Sequence, residues 1–380
     1  MTLGSDVGAP GTGETAVARQ GRPTMSFSVD GWDPSYGASL EVEGQLEEST
    51  ARIDAGVEVP ADRWRPIDPD AAGPLPEALL FVDGVRRVEA QVWIDGAGAG
   101  DPRPVDASTG EVQPGGGSAS GAPGEPTAAL CASYAAGVVC CCAAGAHLVA
   151  SQVHRGLFSV APHASDILTR AGGYKAHHVT IKRAGAPIMT ALSQSLQRRL
   201  ATVEADTAKA ARGEADGAGT VPSGHSVTGT SDLLIVDGPL LGRQHLPRAL
   251  GYIKSHHATY LPPELNAVVG ALSPGQRTPA FQMGTTWDRH SWYLRLPGPK
   301  GAPWSGVVRI ECPADLSVAE VTRLAGLSQR CLGRFASAPY KDSRAPQNLY
   351  PIAGLERELR RRLGDPQLLY RALREAARPD

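Results

Sequence analysis

The chain has 380 residues, enough for one large domain or two, and its 37 Lys and Arg residues nearly balance its 39 Asp and Glu residues. This balance excludes a protein whose whole surface is a basic field for nucleic acid, but it is compatible with a local basic groove. The 6 cysteines form no Cys-x-x-Cys pair, which argues against a zinc ribbon, and no apolar segment resembles a signal peptide or a membrane span. We therefore expect a soluble, cytoplasmic protein.

Segments rich in Gly, Pro, Ser and Ala divide the chain. The 44 glycines and 31 prolines exceed the share of an average globular protein, and they occur in clusters. Residues 1–24 lack hydrophobic periodicity and are predicted to be a disordered N-terminus, whereas the aromatic residues that follow Met25 are expected to pack on the fold. The same composition predicts low-complexity insertions at about residues 96–127 and 207–230. We therefore expect one domain over residues 25–380, interrupted twice.

Hydrophobic patterning predicts strands and helices in alternation. Strands are predicted at residues 79–82, 88–94, 130–141, 154–162, 233–236, 291–298 and 306–313. The clearest helix covers residues 187–212, and further helices are predicted at residues 317–332, 352–363 and 367–377. One apolar stripe runs along the first helix and is formed by Ile188, Leu192, Leu196, Leu200 and Val203. This order predicts an α/β fold with a mixed sheet flanked by helices.

Several Cys and His residues could suggest a metal site, and we interpret them otherwise. Three adjacent cysteines, Cys140 to Cys142, fit small buried thiols that pack as apolar residues. The pairs His177–His178 and His256–His257 consist of adjacent residues, which point to opposite faces of a strand and cannot readily bind one ion. We therefore interpret both histidine pairs as surface residues or nucleic-acid contacts.

Two Asp-Gly pairs follow short apolar runs, in "FVDGVRR" at Asp83 and in "LLIVDGPLL" at Asp237. For Asp83 the sequence leaves two readings open, because Asp-Gly is also a common two-residue hairpin turn and residues 85–94 resemble a returning strand. A hairpin is disfavoured at Asp237, since Pro239 has no N–H to donate to a returning ladder. The run before Asp237 instead predicts an interior strand that ends in a carboxylate.

Carboxylates at strand ends suit the hydrolysis of phosphodiesters. Two divalent metals about 3.5–4 Å apart can stabilise charge on the attacking and leaving oxygens, and both prefer hard oxygen ligands. Asp83 and Asp237 are two candidate ligands, and Glu204 is a third, because it borders the apolar stripe of the helix between them. Taken alone, Glu204 equally fits a solvated glutamate on an amphipathic helix.

Taken together, these motifs resemble the NurA family of nucleases. Asp83 in "FVDGVRR" and Asp237 in "LLIVDGPLL" are similar to the two Asp-Gly motifs of that family. Lys254 in "GYIKSHHATYL" is similar to its Gly-x-x-Lys segment, and Tyr293 in "WYLRL" to a later strand that bears a tyrosine. Tyr350 in "QNLYPIAGL" begins a Tyr-Pro like the one near the family's C-terminus. The resemblance extends over residues 79–363, with both insertions interrupting it.

The resemblance implies an RNase H-like fold, a Mn²⁺ or Mg²⁺ cofactor, and DNA as the substrate. It implies 5′-to-3′ exonuclease and single-strand endonuclease activity in double-strand-break end resection, by a homodimer on a hexameric HerA-like ATPase that translocates DNA. The metals would be bound by Asp83, Glu204 and Asp237. The implied catalytic residues are Asp83, Glu204, Asp237, Lys254 and Tyr293, and the residues expected to contact DNA are Arg86, Lys254, Asn348 and Tyr350.

One departure from the family pattern keeps alternatives open. The family has a histidine after its Tyr-Pro, but "YPIAGLERELRRRLGD" has none; Glu358 or a nearby arginine takes that position by spacing, and Asn348 could supply an amide oxygen instead. An inactive RNase H-like scaffold that binds DNA or a translocase is therefore the main alternative. An actin-like ATPase is a third, although the sequence shows only one clear half of such a duplicated architecture. Lys254 and Arg86 also fit ordinary surface residues.

Overall fold

The computed structural model describes residues 49–70, 73–95, 125–181, 187–213, 231–256, 258–298 and 304–377. The predicted N-terminal segment, the residues after Met25 and most of both predicted insertions lie outside these ranges. The described residues form a mixed α/β fold with one large sheet. Among them, no helix is both long enough and apolar enough to cross a bilayer.

The strands are β1 (Arg52–Asp54), β2 (Ala78–Ile94), β3 (Thr127–Cys142), β4 (Gly145–Ser159), β5 (Ile167–Thr169), β6 (Gly172–His178), β7 (Asp232–Asp237), β8 (Ala249–Ile253), β9 (Phe281–Gly284), β10 (Asp288–Arg295) and β11 (Val307–Pro313). The helices are α1 (Ile188–Ala211), α2 (Pro263–Ala271), α3 (Val318–Leu332), α4 (Tyr350–Arg362) and α5 (Pro366–Ala376). Within the described ranges, all eleven strands belong to one sheet, in the order β1-β9-β10-β11-β8-β7-β2-β3-β4-β6-β5.

Strand β7 lies in the interior of this sheet, between two parallel neighbours, β2 and β8. Its residues Leu233 to Val236 are buried, as expected for a strand that is covered on both faces. The chain leaves the sheet after Asp237 at Gly238, whose φ of 95° is readily adopted only by glycine. The prediction of an interior strand that ends at Asp237 is therefore confirmed.

Helices cover both faces of the sheet near this point. On one face, Leu80 and Val82 of β2 pack with Ala208 and Ala211 of α1. On the other face, Leu79 and Phe81 of β2 pack in a cluster to which α3 and α4 also contribute. Successive residues of a strand point to opposite faces, so every odd-numbered residue in this part of β2 faces α4 and every even-numbered residue faces α1.

The termini of two helices follow from local sequence. Helix α3 begins after Ser317, whose hydroxyl accepts a hydrogen bond from the backbone N–H of Glu320 while the Glu320 carboxylate accepts one from the N–H of Ser317. Helix α4 begins at Tyr350 with Pro351 in its first turn, where the missing N–H of proline has no intrahelical partner to lose. The predicted positions of both helices are confirmed within one or two residues.

The turn reading of Asp83 is wrong. Strand β2 runs without a break through Asp83 and Gly84, because β3 supplies a partner along nearly all of its length, with Asp83 opposite Gly137 and Ile94 opposite Thr127. The structure also places residues 207–211 in α1 and Thr127 in β3, although both were assigned to the low-complexity insertions. Thr207 and Ala208 are buried, so packing on the sheet extends the helix beyond the point at which its composition changes.

Replacing residues 97–124 with a short Gly-Ser turn should leave the stability of the fold nearly unchanged. Ile94 and Thr127 already lie opposite each other, so a few residues can join β2 to β3. Shortening a loop from about 30 to about 4 residues removes roughly three doublings of length, each worth about 0.6 kcal/mol of closure entropy. Thermal unfolding should therefore show an equal or slightly higher melting temperature. A clear drop would mean that the removed residues contribute packing.

Candidate metal centre

Three carboxylates converge near the end of β7. The side chains of Asp83, Asp237 and Glu356 each place an oxygen within 4.8 Å of the other two. Asp83 is 7 % exposed, and the other two residues are half-buried. Carboxylate oxygens in this number and proximity are the ligand set that Mg²⁺ and Mn²⁺ prefer.

The sheet register brings the two aspartates together. Val82 of β2 pairs with Val236 of β7, and the parallel pairing stops there, so Asp83 and Asp237 are the next residues on adjacent strands. Both lie on the face that α4 covers, by alternation from Phe81 and Ile235. Asp83 is therefore in the middle of its own strand but at the end of the neighbouring strand, which opens space beside its carboxylate.

Helix α4 supplies the third carboxylate. Its residues Leu355 and Leu359 are buried against Val85 of β2, two residues beyond Asp83. This packing fixes the helix over the sheet, and Glu356 follows Leu355 directly. The guanidinium of Arg344 holds Glu356 through two hydrogen bonds, of 3.0 Å to Oε1 and 2.7 Å to Oε2. A bidentate pair of this kind fixes the orientation of the carboxylate.

Lys254 connects the cluster to the loop before α4. Its Nζ donates to Asp237 Oδ2 at 2.7 Å and to Asn348 Oδ1 at 3.2 Å, and it lies 4.0 Å from Glu356 Oε1. Burial alone would lower the pKa of Lys254, but the negative charges of Asp237 and Asp83 raise it above its ordinary value. Lys254 therefore stays protonated and offsets part of the negative charge of the cluster.

Asp83 has an unsatisfied oxygen. Its Oδ1 accepts a hydrogen bond of 2.7 Å from the N–H of Gly84, but its buried Oδ2 has no hydrogen-bond partner among the described residues. Burial raises the pKa of Asp83 well above its ordinary value, and the charges of Asp237 and Glu356 raise it further while Lys254 opposes them. A buried carboxylate oxygen without a donor is costly. A divalent cation would both satisfy this oxygen and offset the repulsion, so the residues present fit a hard metal ion.

Glu204 approaches the same region from the other face of the sheet. It lies on α1, is 5 % exposed, and pairs with Arg243. A Cβ atom added to Gly84 would lie only 2.4 Å from Glu204 Oε1, so this carboxylate is packed against the strand directly beside Asp83. Burial raises the pKa of Glu204 to about 7, although Arg243 lowers it. Glu204 is therefore neither solvated nor part of the tight cluster of three carboxylates.

Gly84 is the contact that allows Glu204 to approach, and Gly84→Ala should disturb it. The added methyl group would meet Glu204 Oε1 and the Leu200 side chain at 2.7 Å, so we expect a loss of about 1–3 kcal/mol in the free energy of unfolding. Gly354→Ala on α4 is the control, because nothing lies within 4 Å of its Cβ position, and alanine should stabilise that helix by up to about 1 kcal/mol. Chemical denaturation measures both variants. Equal stability of the two would show that the space beside Gly84 is not tight.

The remaining predicted site residues lie at different distances from the cluster. Lys254 and Asn348 meet beside Asp237, and Asn348 also donates to Asp342 Oδ2 at 2.7 Å. Tyr350 is 36 % exposed, and its hydroxyl accepts a hydrogen bond from the N–H of Ala338. Arg86 is exposed on the α1 face of β2, with Nη1 3.5 Å from the carbonyl of Ser193. No DNA contact follows from these positions alone.

Tyr293 lies in the core, three strands from β7. Its ring stacks on Phe281 and packs with His256 and Trp304, and it is 2 % exposed. The expectation that either Trp292 or Tyr293 would point outward is wrong, since both are buried, on opposite faces of the sheet. His256 was expected at the surface, but it is 4 % exposed and contacts the carbonyl of Val307. His257 lies outside the described residues.

The sequence analysis missed Glu356. It considered Glu358 for this part of α4, but Glu358 faces outward and pairs with Arg361 and Arg362. A signal was available: Glu356 follows the buried Leu355 and lies four residues after the buried Ile352, so it borders the apolar stripe of α4 as Glu204 borders that of α1. The search for a histidine equivalent drew attention away from it.

Comparison with known proteins gives one distant structural likeness. No family model matches the chain, and no curated protein matches it in sequence. The chain is similar to the crystal structure of the NurA nuclease from Sulfolobus solfataricus, with a TM-score of 0.41 and 9 % sequence identity, over 82 % of this chain and 88 % of that chain. The likeness is a distant one between folds.

Proposed function

We propose that the protein is a metal-dependent nuclease that hydrolyses phosphodiester bonds of DNA. The observation that carries this proposal is the convergence of Asp83, Asp237 and Glu356, in which the buried Oδ2 of Asp83 has no hydrogen-bond donor among the described residues. Such an arrangement is unfavourable without a cation and suits one that carries two positive charges.

Asp83, Asp237 and Glu356 would hold one Mn²⁺ or Mg²⁺ ion, and Glu204 is proposed as a ligand of a second ion on the other side of Gly84. When bound, the ions would activate water and stabilise the charge on the leaving oxygen. The chain itself supplies position. Arg344 orients Glu356 through two hydrogen bonds, and the backbone N–H of Gly84 orients Asp83.

Lys254 is the proposed phosphate-binding residue. It lines a cleft beside Asp237 to which Gly238, Tyr260 and Arg309 also contribute. Its ammonium now donates to Asp237 and Asn348. When a metal ion takes over the charge of Asp237, the same ammonium can donate to a phosphate oxygen in the cleft and offset the charge that develops there.

The choice of DNA as substrate is supported by the sequence resemblance of the two Asp-Gly motifs and the Tyr-Pro to NurA nucleases. On that basis we extend the proposal to 5′-to-3′ exonuclease and single-strand endonuclease activity, a homodimer, and a HerA-like hexameric translocase as partner in end resection. Arg86 and Tyr350 are exposed and available for DNA contacts. Tyr293 has no proposed catalytic role, because its ring is enclosed in the core.

The alternative of an inactive scaffold was motivated by the missing histidine on α4. Glu356 occupies a position on that helix beside both aspartates, so the cluster has three charged ligands without a histidine. The actin-like alternative requires two similar halves, whereas the strands of the described ranges form one continuous sheet. We therefore favour an active nuclease.

The direct test of function is an assay with purified protein. We expect end-labelled linear DNA and circular single-stranded DNA to be degraded in Mn²⁺, with release of 5′-terminal nucleotides from the linear substrate. A chelator should stop both reactions, and excess Mn²⁺ should restore them. If neither substrate is degraded in Mn²⁺ or Mg²⁺, with or without an ATP-driven translocase, the proposed function is wrong.

Glu204→Gln tests the second ion. If the Glu204 carboxylate is a ligand, the variant should bind one Mn²⁺ ion fewer per chain than the wild type, since a neutral amide is a poor ligand for a hard cation. Cleavage should fall with it, by roughly 100-fold. Equilibrium dialysis with Mn²⁺ gives the stoichiometry. An unchanged stoichiometry would restrict Glu204 to its ion pair with Arg243.

A further inference from the structure

A second cluster of metal-ligating side chains lies at the tip of the hairpin that joins β3 to β4. The two thiol sulfurs of Cys140 and Cys142 and a ring nitrogen of His147 lie within 4.8 Å of one another. We propose that these three side chains form a binding site for Zn²⁺, separate from the carboxylate centre. Thiolate and imidazole are the ligands that Zn²⁺ favours, whereas Mg²⁺ and Mn²⁺ favour carboxylates.

The hairpin register builds this site. Cys140 and Cys142 are two residues apart on β3 and therefore point to the same face of the sheet. His147 of β4 lies directly opposite Cys140 in the antiparallel ladder, where Cβ atoms are about 4.5–5.5 Å apart. The two-residue turn closes at Gly145, whose φ of 100° is suited to glycine, and this turn sets the register.

The site is distinct from the carboxylate centre in position as well as in chemistry. Gly137 lies opposite Asp83, and Cys140 is three residues further along β3, about 10 Å at the rise of a strand. Cys140 also packs on the α1 face of the sheet, with Leu80 and Val82, whereas Asp83 faces α4. A single ion cannot reach both sets of ligands.

Distances and burial allow an ion to bind here. A tetrahedral Zn²⁺ with Zn–S bonds of about 2.3 Å requires a separation of about 3.8 Å between the sulfurs, so movements of about 1 Å would complete the geometry. Cys140 is 1 % exposed, but Cys142 and His147 are half-buried, and the turn beside them is exposed. The ion would therefore have three protein ligands and one position open to water.

The competing explanation is that the thiols pack as apolar residues, and a Cys140–Cys142 disulfide is another. Zn²⁺ binding to reduced, metal-stripped, full-length protein distinguishes them. In excess Mg²⁺, which occupies hard sites, we expect one Zn²⁺ per chain to be taken from a chromophoric chelator with a dissociation constant below micromolar. Co²⁺ in place of Zn²⁺ should give the near-ultraviolet absorption of thiolate coordination.

Matched variants assign the ligands. Cys142→Ser and His147→Gln should each weaken Zn²⁺ binding by more than about 100-fold, the upper range for loss of even an indirect partner of a metal ligand. Cys141→Ala is the control, because Cys141 lies in the same tripeptide but packs in the core of the opposite face. No tight Zn²⁺ binding, wild-type binding by Cys142→Ser, or an equal loss in Cys141→Ala would each overturn the proposal, and so would a Cys140–Cys142 disulfide in protein isolated under reducing conditions.

Discussion

Asp83→Asn should reduce Mn²⁺-dependent DNA cleavage by about 1,000-fold or more without unfolding the protein. The asparagine has the same shape, and its amide oxygen can still accept the hydrogen bond from Gly84. It lacks the charge that holds the proposed cation, and a loss of about 4 kcal/mol of transition-state stabilisation corresponds to that factor. Single-turnover cleavage rates measure the effect. Near wild-type activity in the well-folded variant would show that Asp83 is not a metal ligand.

The same substitution should stabilise the metal-free protein. Because burial and its acidic neighbours raise the pKa of Asp83 above its ordinary value of 3.8, the folded state binds this proton more tightly than the unfolded state. The stability that this proton provides is fully present below the unfolded pKa and is lost as pH rises through the folded pKa. Asparagine cannot ionise and avoids that loss.

Thermal unfolding in a chelator should therefore show a higher melting temperature for Asp83→Asn than for the wild type at pH 7, and a smaller difference near pH 4. The two outcomes of this substitution separate function from folding, since activity falls while stability rises. A variant that is less stable than the wild type at pH 7 would mean that the Asp83 carboxylate is satisfied in the metal-free protein.

Glu356→Gln should reduce cleavage by about 100-fold and raise the Mn²⁺ concentration needed for half-maximal activity. Glutamine can keep one hydrogen bond to Arg344, but its neutral amide is a weaker ligand for a hard cation than the carboxylate. Metal titrations of the initial rate measure both effects, and high Mn²⁺ should restore part of the activity.

Glu358→Gln is the matched control for this substitution. Glu358 lies on the same helix two residues later, but it faces outward and pairs with Arg361 and Arg362. It should keep wild-type cleavage and metal dependence, because exposed ion pairs contribute little to stability. If Glu358→Gln loses activity and Glu356→Gln does not, the side chain of α4 that reaches the site has been assigned incorrectly.

The sequence allowed some parts of this centre to be predicted because their signals are local. The run of Leu, Ile and Val before Asp237, followed by Pro239, is enough to predict an interior strand that ends in a carboxylate. The stripe of α1 and the capping residues Ser317 and Glu320 are likewise read from short segments.

Other parts depend on partners that a local pattern does not contain. Asp83 looked like a turn or a strand end, because nothing near it shows that β3 is long enough to continue the pairing past Gly84. Tyr293 and His256 are buried because Trp64 and α2 cover their face of the sheet, and that cover comes from distant segments. Glu356 required the sheet and α4 to be placed together.

Crystals grown with Mn²⁺ offer the most direct test that the three carboxylates form a metal centre. An anomalous difference map at the manganese absorption edge should show a peak bound by Asp83, Asp237 and Glu356, with metal–oxygen distances near 2.1 Å, the value for small hard divalent ions. The peak should be absent from crystals of Asp83→Asn grown in the same way. If wild-type crystals of protein that cleaves DNA show no peak between these residues, or show one elsewhere that survives the substitution, the centre described here is not the site of catalysis.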